Sequence, residues 1–438
     1  MGGRRIDSEL LGHTLLQDYV AAFDKYAHDS AAYAAATFHL LVGQLPNIRD
    51  MKIYKGSGSW LDTRIHPCYF SPSATAKGEG ANFVSRMAEA LGLKYQPVTT
   101  ITDAGLVGTI NDEKEVEYGW LHQSKGINIL AATEASVLLQ DFPVKESRNV
   151  MDLLQVAMNT LGSKDSTIAK KIGFGDPIEF QPSASLLFTT YVPTNLTNII
   201  LQRGLLQRTY LTVNTVSIDA RQRALERQYS NMVRDRSPDT TAEEKSIAER
   251  LKHINTHYAG KGKIAIDPRA EPLLVNFSKE LFTAIRDSEP FLQEKLGEFV
   301  SRMAGHQIRI GAHFACLNEH EEIEPGDISL ANIYTRFQFR DIIAFLEKKI
   351  RVPNEWKELF HQTERRVRTA LESLHPLTDE TTGFRWVDKR ELVRAISRMH
   401  FVSEQTAVSY LDEAKDWRLI EIRNHKGLQK DLVRLVGS

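Results

Sequence analysis

An α/β fold, followed by a helical region and a distinct C-terminal module, is what this sequence predicts. Three observations carry the prediction. Residues 60–215 alternate short apolar runs with helical patterns, as in a parallel sheet wrapped by helices. One of those runs, Pro67–Phe70, feeds a turn of small residues, then Lys77, then the helical pattern Ala81–Leu91. The last ~55 residues change to helix, turn, helix and a basic-tipped hairpin.

At 438 residues the chain exceeds what one hydrophobic core usually serves, so two or three domains are expected. Its apolar and charged fractions, 42% and 25%, are those of an ordinary globular protein. A net charge of −1 excludes a globally basic nucleic-acid coat but leaves local basic patches open. The two cysteines, Cys68 and Cys316, fall in different expected elements, which gives no disulfide framework or zinc site and fits a reducing interior. No apolar run reaches the ~18–20 residues that span a bilayer, and the N-terminus lacks a signal-peptide core. The expected location is cytoplasmic, with no membrane partner.

Along the chain, residues 8–45 read as mostly helical, and Gly56-Ser57-Gly58-Ser59 as a loop or hairpin. The expected strands are His66–Phe70, Tyr95–Thr100, Gly126–Ala132, Ser185–Tyr191 and Arg208–Val213. Residues 217–255 are charged and helical, broken at Arg236-Ser237-Pro238-Asp239, and residues 270–350 read as helical with little strand character. Asp388–Met399 forms an amphipathic helix, and Ser403 caps a second one to Asp416. Strands Leu419–Arg423 and Asp431–Leu435 then flank a basic turn. That is a winged-helix pattern, in which Ser403–Asp416 would be the recognition helix and Arg423, Lys426 and Lys430 would meet DNA phosphates. Such modules also dock proteins.

The segment Ser71-Pro72-Ser73-Ala74-Thr75-Ala76-Lys77-Gly78-Glu79 has the layout of a phosphate-binding loop. Backbone N–H groups and a lysine there surround the phosphates of ATP at a helix N-terminus. Ser71 and Ala76 stand where the motif has glycines, and Gly78 where a hydroxyl would ligate Mg²⁺. Downstream, Gly126–Ala132 leads to Thr133-Glu134, a strand-end carboxylate suited to polarising a water beside the metal, with Thr133 in the place of a metal-holding aspartate. Thr190 closes the next strand and would orient the water or meet the γ-phosphate. Arg208 would open the strand after it. Taken one at a time, Lys77, Glu134 and Arg208 each read more readily as plain structural residues; their order is what makes a site.

In that order the chain resembles the minichromosome-maintenance (MCM) helicases and the MCM-like ATPases of phages and plasmids. Ser73-Ala74-Thr75-Ala76-Lys77 is similar to the family's P-G-T-A-K turn, and Glu117-Tyr118-Gly119-Trp120-Leu121 to its L-E-x-G-A-L. Leu206-Gln207-Arg208-Thr209-Tyr210 resembles its L-L-S-R-F-D segment, and Thr189-Thr190-Tyr191-Val192-Pro193 has a counterpart in the phage and plasmid type.

The resemblance implies a P-loop NTPase (AAA+) core with a helical lid and a C-terminal winged helix. The implied boundaries are an N-terminal helical segment 1–55, core 56–216, lid 217–350, linker helix 351–383 and winged helix 384–438. It implies ATP and Mg²⁺ as cofactors, a hexameric ring on DNA, and a primase or other replication protein as partner. Ser73–Glu79 would bind nucleotide, Glu134, Thr190 and Arg208 would be catalytic, and Arg208 would be a finger reaching the neighbouring subunit. The interval holding Lys164, Lys170 and Lys171 would be a hairpin that grips DNA. Arg302 and Arg309 compete as a further arginine for the γ-phosphate. The stretch ahead of Lys77 is too short to be expected to hold the family's N-terminal DNA-encircling domain. The implied activity is a DNA-dependent ATPase of the helicase type. The replaced motif residues leave a second reading, a non-hydrolysing DNA-binding scaffold or replication initiator, and a third, a transcriptional regulator.

Overall fold

Strands buried on both faces organise the core of residues 1–347. The computed structural model describes residues 12–26, 31–56, 58–71, 77–99, 101–110, 115–133, 135, 145–170, 177–191, 204–213, 222, 226, 229, 240–288, 290–350, 353–374, 377–378, 385–400, 402–416, 420–425 and 430–435. The described chain divides into two units, Met1–Glu347 and Lys348–Ser438.

The first unit begins with helices α1 (Thr14–Asp24), α2 (Ala31–Val42) and α3 (Pro46–Arg49). From Tyr33 to Val42 every residue of α2 is buried, so this alanine-rich helix, which also carries Thr37 and His39, is enclosed all round and runs through the core. It packs on α1 and on the sheet, where Tyr33 stacks on Tyr69 with ring centroids 4.1 Å apart. Strands β1 (Lys52–Gly56) and β2 (Ser59–Leu61) follow as an antiparallel pair, so Gly56–Ser59 is a hairpin connection.

Next come β3 (Pro67–Phe70), α4 (Lys77–Ala90), β4 (Tyr95–Val98), α5 (Asp103–Val107), the hairpin β5 (Gly108–Ile110) and β6 (Val116–Tyr118), and β7 (Ile129–Thr133). After these lie α6 (Lys145–Ala157), a second hairpin β8 (Ile168–Lys170) and β9 (Ile178–Phe180), β10 (Ser185–Thr190), α7 (Leu205–Arg208) and β11 (Tyr210–Val213). The sheet order is β11-β3-β10-β7-β4, and every pair is parallel. All residues of β3 and β10 are buried, as a sheet covered on both faces requires. From β3 the chain goes to the far edge at β4, returns through β7 and β10 to lie beside β3, and then crosses to β11. Because the strands are parallel, the ends of β3, β7 and β10 share one edge, where such sheets bind ligands at the reversal of strand order.

The five strands expected from the sequence all form, with shorter bounds. The third loses its first residues because Gly126 turns at φ +61° and Asn128 Oδ1 accepts the Lys94 amide at 2.9 Å. The fifth starts at Tyr210, not Arg208, which lies in the four-residue helix α7. The break at 236–239 lies outside the described residues.

Helices α8 (Thr240–His257), α9 (Glu271–Arg286), α10 (Pro290–Leu317) and α11 (Pro325–Ile350) dominate the rest of the unit, with β12 (Lys263–Ile266) and β13 (Glu322–Ile323) between them. These two strands were not expected. They complete a sheet of order β13-β12-β1-β2 in which β12 pairs parallel with β1. Ile53, Leu61, Ile264, Ile323 and Ile328 form its core. Glu244 of α8 meets Arg86 of α4 at 3.1 Å and receives the Tyr26 hydroxyl, so this region is packed against the helices of the parallel sheet.

The second unit contains α12 (Pro353–Glu372), β14 (Leu377–Thr378), β15 (Arg385–Asp388), α13 (Lys389–His400), α14 (Glu404–Asp416), β16 (Ile420–His425) and β17 (Lys430–Leu435). Its antiparallel sheet has the order β14-β15-β17-β16. The core joins Val367 and Ala370 of α12 to Leu392 and Ile396 of α13, Leu411 of α14 and Val433 of β17. Asp388 accepts the Arg390 amide at 2.8 Å and Ser403 the Thr406 amide at 3.1 Å, which sets both helix starts.

Candidate functional site

Lys77, Thr133 and Thr190 on one side and Arg208 on the other fall at opposite edges of the parallel sheet. At the strand-end edge, Lys77 is the first residue of α4, the helix that follows β3 in the chain. Gly78 and Glu79 are exposed in the first helical turn, and a Cβ at Gly78 would meet nothing within 4 Å. Ser73, Ala74, Thr75, Ala76 and Glu134 lie outside the described residues. The Ser71 amide donates to the Thr190 carbonyl at 3.0 Å and continues the β3–β10 ladder to this edge. Thr133, last in β7, is half-buried, and its neighbour in register on β10 is Thr189.

Thr190 is fully buried, and its Oγ1 has no hydrogen-bond partner among the described residues. A buried hydroxyl without a partner costs free energy, which makes such an atom at a sheet edge a marker for a ligand or water. At the end of β11, Asp341 Oδ2 accepts the Val213 amide at 2.9 Å. Burial pushes the Asp341 carboxyl up to about 7, against the opposing effect of that amide. Nothing in the local pattern of residues 340–343 marks Asp341; its role arises from the packing of α11 on β11.

At the strand-start edge, Arg208 is half-buried. Its Nη1 donates to the Gly204 carbonyl at 2.9 Å and its Nε to Asn159 Oδ1 at 3.3 Å. Burial and then the like charge of Arg302 hold its basicity below the usual arginine value. Arg302, on α10, is exposed. Thus Arg208 and Arg302 share a surface away from the Lys77 loop of the same chain.

Arg309 does not join them. Its Nη2 meets Asp62 Oδ1 at 3.0 Å, and Asp62 Oδ2 takes Arg64 Nε at 2.8 Å. Arg64 is fully buried and also donates to the carbonyls of Asn159 and Pro182 at 2.7 and 2.8 Å. Burial would raise the Asp62 carboxyl, but the guanidiniums of Arg64 and Arg309 and the Leu161 amide together hold it well below the usual carboxylate range. Of the two competing arginines, only Arg302 stays available.

The interval with Lys164, Lys170 and Lys171 does contain a hairpin, β8–β9. Lys164 is exposed in a 3-10 turn before it, Lys170 ends β8 with its Nζ 3.1 Å from Asp103, and Lys171 lies outside the described residues. Hairpin β5–β6 packs beside it through an aromatic chain that the sequence did not reveal. Tyr118 stacks on His122 at 3.9 Å, and His122 lies 4.8 Å from Phe180. Gly119 is required there, since a Cβ would come within 2.3 Å of the Leu106 carbonyl carbon.

In the second unit Arg423 is exposed on β16, Lys430 opens β17, and Lys426 lies outside the described residues. Among the described residues no group of three His, Cys, Asp or Glu side chains is disposed to hold a metal ion, and no helix is long and apolar enough to cross a membrane. A magnesium ion carried by a nucleotide would need only one or two protein oxygens, its other ligands being phosphate and water, and Thr133 is the hydroxyl residue that ends β7 at this edge. No protein-family model matches the chain, and no curated protein matches it.

Proposed function

We propose that this chain is an MCM-like AAA+ ATPase that acts on DNA in replication as a homo-oligomeric ring. The observation that carries the reading is the sheet order β11-β3-β10-β7-β4. It sets the strand before the Lys77 loop next to the strand ending in Thr190, and that strand next to the one ending in Thr133. This is the arrangement a AAA+ core needs to surround one triphosphate. In this reading the α4 N-terminus and Lys77 take the phosphates. Glu134 accepts a proton from the attacking water, and the unpartnered Thr190 hydroxyl orients that water. Arg208 and Arg302, at the other edge, complete the site of a neighbouring subunit by neutralising charge on the transferred group. The α12–β17 arrangement, with a hairpin after two helices, supports a winged helix in the second unit.

The test is phosphate release with and without DNA, alongside particle images. Rings that hydrolyse ATP, with hydrolysis and nucleotide binding both lost in Lys77→Ala, support the reading. A chain that binds no nucleotide analogue, or binds it equally well as Lys77→Ala, overturns it.

A second reading, an ATPase-fold scaffold that binds DNA without useful hydrolysis, is favoured by Gly78 and Thr133 in place of metal-holding groups. Since a side chain fits at Gly78, the pair Gly78→Ser with Thr133→Asp separates the two readings. Faster hydrolysis in the double variant supports a catalytic site weakened at its metal, and rings that stay silent support the scaffold.

A further inference from the structure

A cationic face of the second unit lies on α13, the helix before the one expected to read DNA. Helix α13 buries Leu392, Val393 and Ile396. Helical spacing sets Arg390, Arg394 and Arg398 in one row away from that apolar face, and all three are exposed. Four residues at 1.5 Å each separate successive arginines by ~6 Å along the axis. The described ion pairs of this unit join Arg368 to Glu364 and Arg434 to Glu421, and none takes an arginine of the row. Asp388, at the start of the helix, is buried and turned to the Arg390 backbone amide. Glu391 is the acidic residue within α13 itself. Helix α14, in contrast, exposes Glu404 and Asp412 against Lys415.

We propose that the second unit binds duplex DNA through the Arg390–Arg394–Arg398 row of α13, which takes phosphates without reading bases. The proposal rests on the DNA-acting reading above and names the surface it uses. Three like charges in a row repel one another, so the helix is stabilised when an anion neutralises them. Guanidinium forks match phosphate oxygens two at a time. A protein partner would be expected to bury an apolar centre. The row has none: among the described residues of α13, Met399 is the exposed large hydrophobic, and it lies at the helix end. The acids on α14 disfavour its close approach to phosphates, which leaves α13 to meet the duplex and α14 to support it.

The experiment measures binding of the full chain to a fluorescent duplex of mixed sequence over a salt series. Removing one arginine–phosphate pair lowers the slope of log affinity against log salt by about 0.9, so Arg390→Gln, Arg394→Gln and Arg398→Gln together lower it by roughly 2.7. Each single substitution should take about a third of that. Affinity at moderate salt should fall by about tenfold or more in the triple variant, with an unchanged melting midpoint since the side chains are exposed. Unchanged affinity and slope in a folded triple variant overturn the proposal while the DNA-acting reading stands. So does a full loss from Arg423→Gln alone. A triple variant that keeps duplex binding but no longer binds polyglutamate also overturns it, in favour of an acidic protein partner. A parent chain that binds no duplex overturns both the proposal and the DNA-acting reading.

Discussion

The Arg208 guanidinium donates to the Asn159 side chain at 3.3 Å, on the sheet edge opposite the end of β3. An arginine held there cannot serve a nucleotide at its own Lys77. If it acts in hydrolysis, it acts on a neighbour. Arg208→Ala should therefore cut hydrolysis by about 10³-fold or more while nucleotide binding persists. Mixing Arg208→Ala with Glu134→Gln should restore activity, because some interfaces then carry both intact groups. Mixed rings as inactive as their parents would show that Arg208 has another role.

Thr190→Val removes a hydroxyl that has no partner among the described residues and keeps the shape of the side chain. A buried unpaired polar group costs about 1–3 kcal/mol, so the variant should be as stable as the parent or more so by about 1 kcal/mol. Hydrolysis should fall in the same protein. Urea unfolding and phosphate release, measured together, check both halves, and a variant that is destabilised would show that the hydroxyl is satisfied in the native state.

Asp62 joins Arg64 and Arg309 in the interior, so Asp62→Ala leaves two guanidiniums without their carboxylate. The expected loss is about 3–5 kcal/mol, read from the urea midpoint. The sign with pH follows from its depressed pKa. Its stabilising contribution is full above the ordinary carboxylate value of about 3.9 and is lost as pH falls from there through the depressed native value. Asp62→Ala should remove this part of the acid dependence.

His39 and His313 face each other through their Nδ1 atoms at 3.3 Å, and His313 Nε2 lies 2.8 Å from the Thr63 carbonyl oxygen. Burial holds both below the usual histidine value, His313 at about 4, and His306 lies at about 4 as well. The unfolded chain therefore binds protons that the native one refuses between about pH 6.5 and 4. Stability should fall as pH drops through that window, by up to about 1.4 kcal/mol per pH unit for each histidine. Urea midpoints at a series of pH values measure it, and a flat profile would show that the pair is solvated.

Local structure in this protein follows from short-range pattern. The buried runs Ser185–Thr190 and Pro67–Phe70 and the caps at Asp388 and Ser403 act over two to six residues, so their positions can be read along the chain. The order Lys77, Thr133, Thr190, Arg208 is legible for the same reason. Which of these residues meet is a matter of long-range pairing. Sheet order sets the ends of β3, β10 and β7 side by side and sends Arg208 to the other edge. The pairing of Ile53 with Ile264 and the use of Arg309 by Asp62 join residues more than two hundred positions apart. Periodicity tells a residue which face it occupies. It does not name the partner, because burial rewards any apolar or charge-matched surface, and only the closed topology selects one.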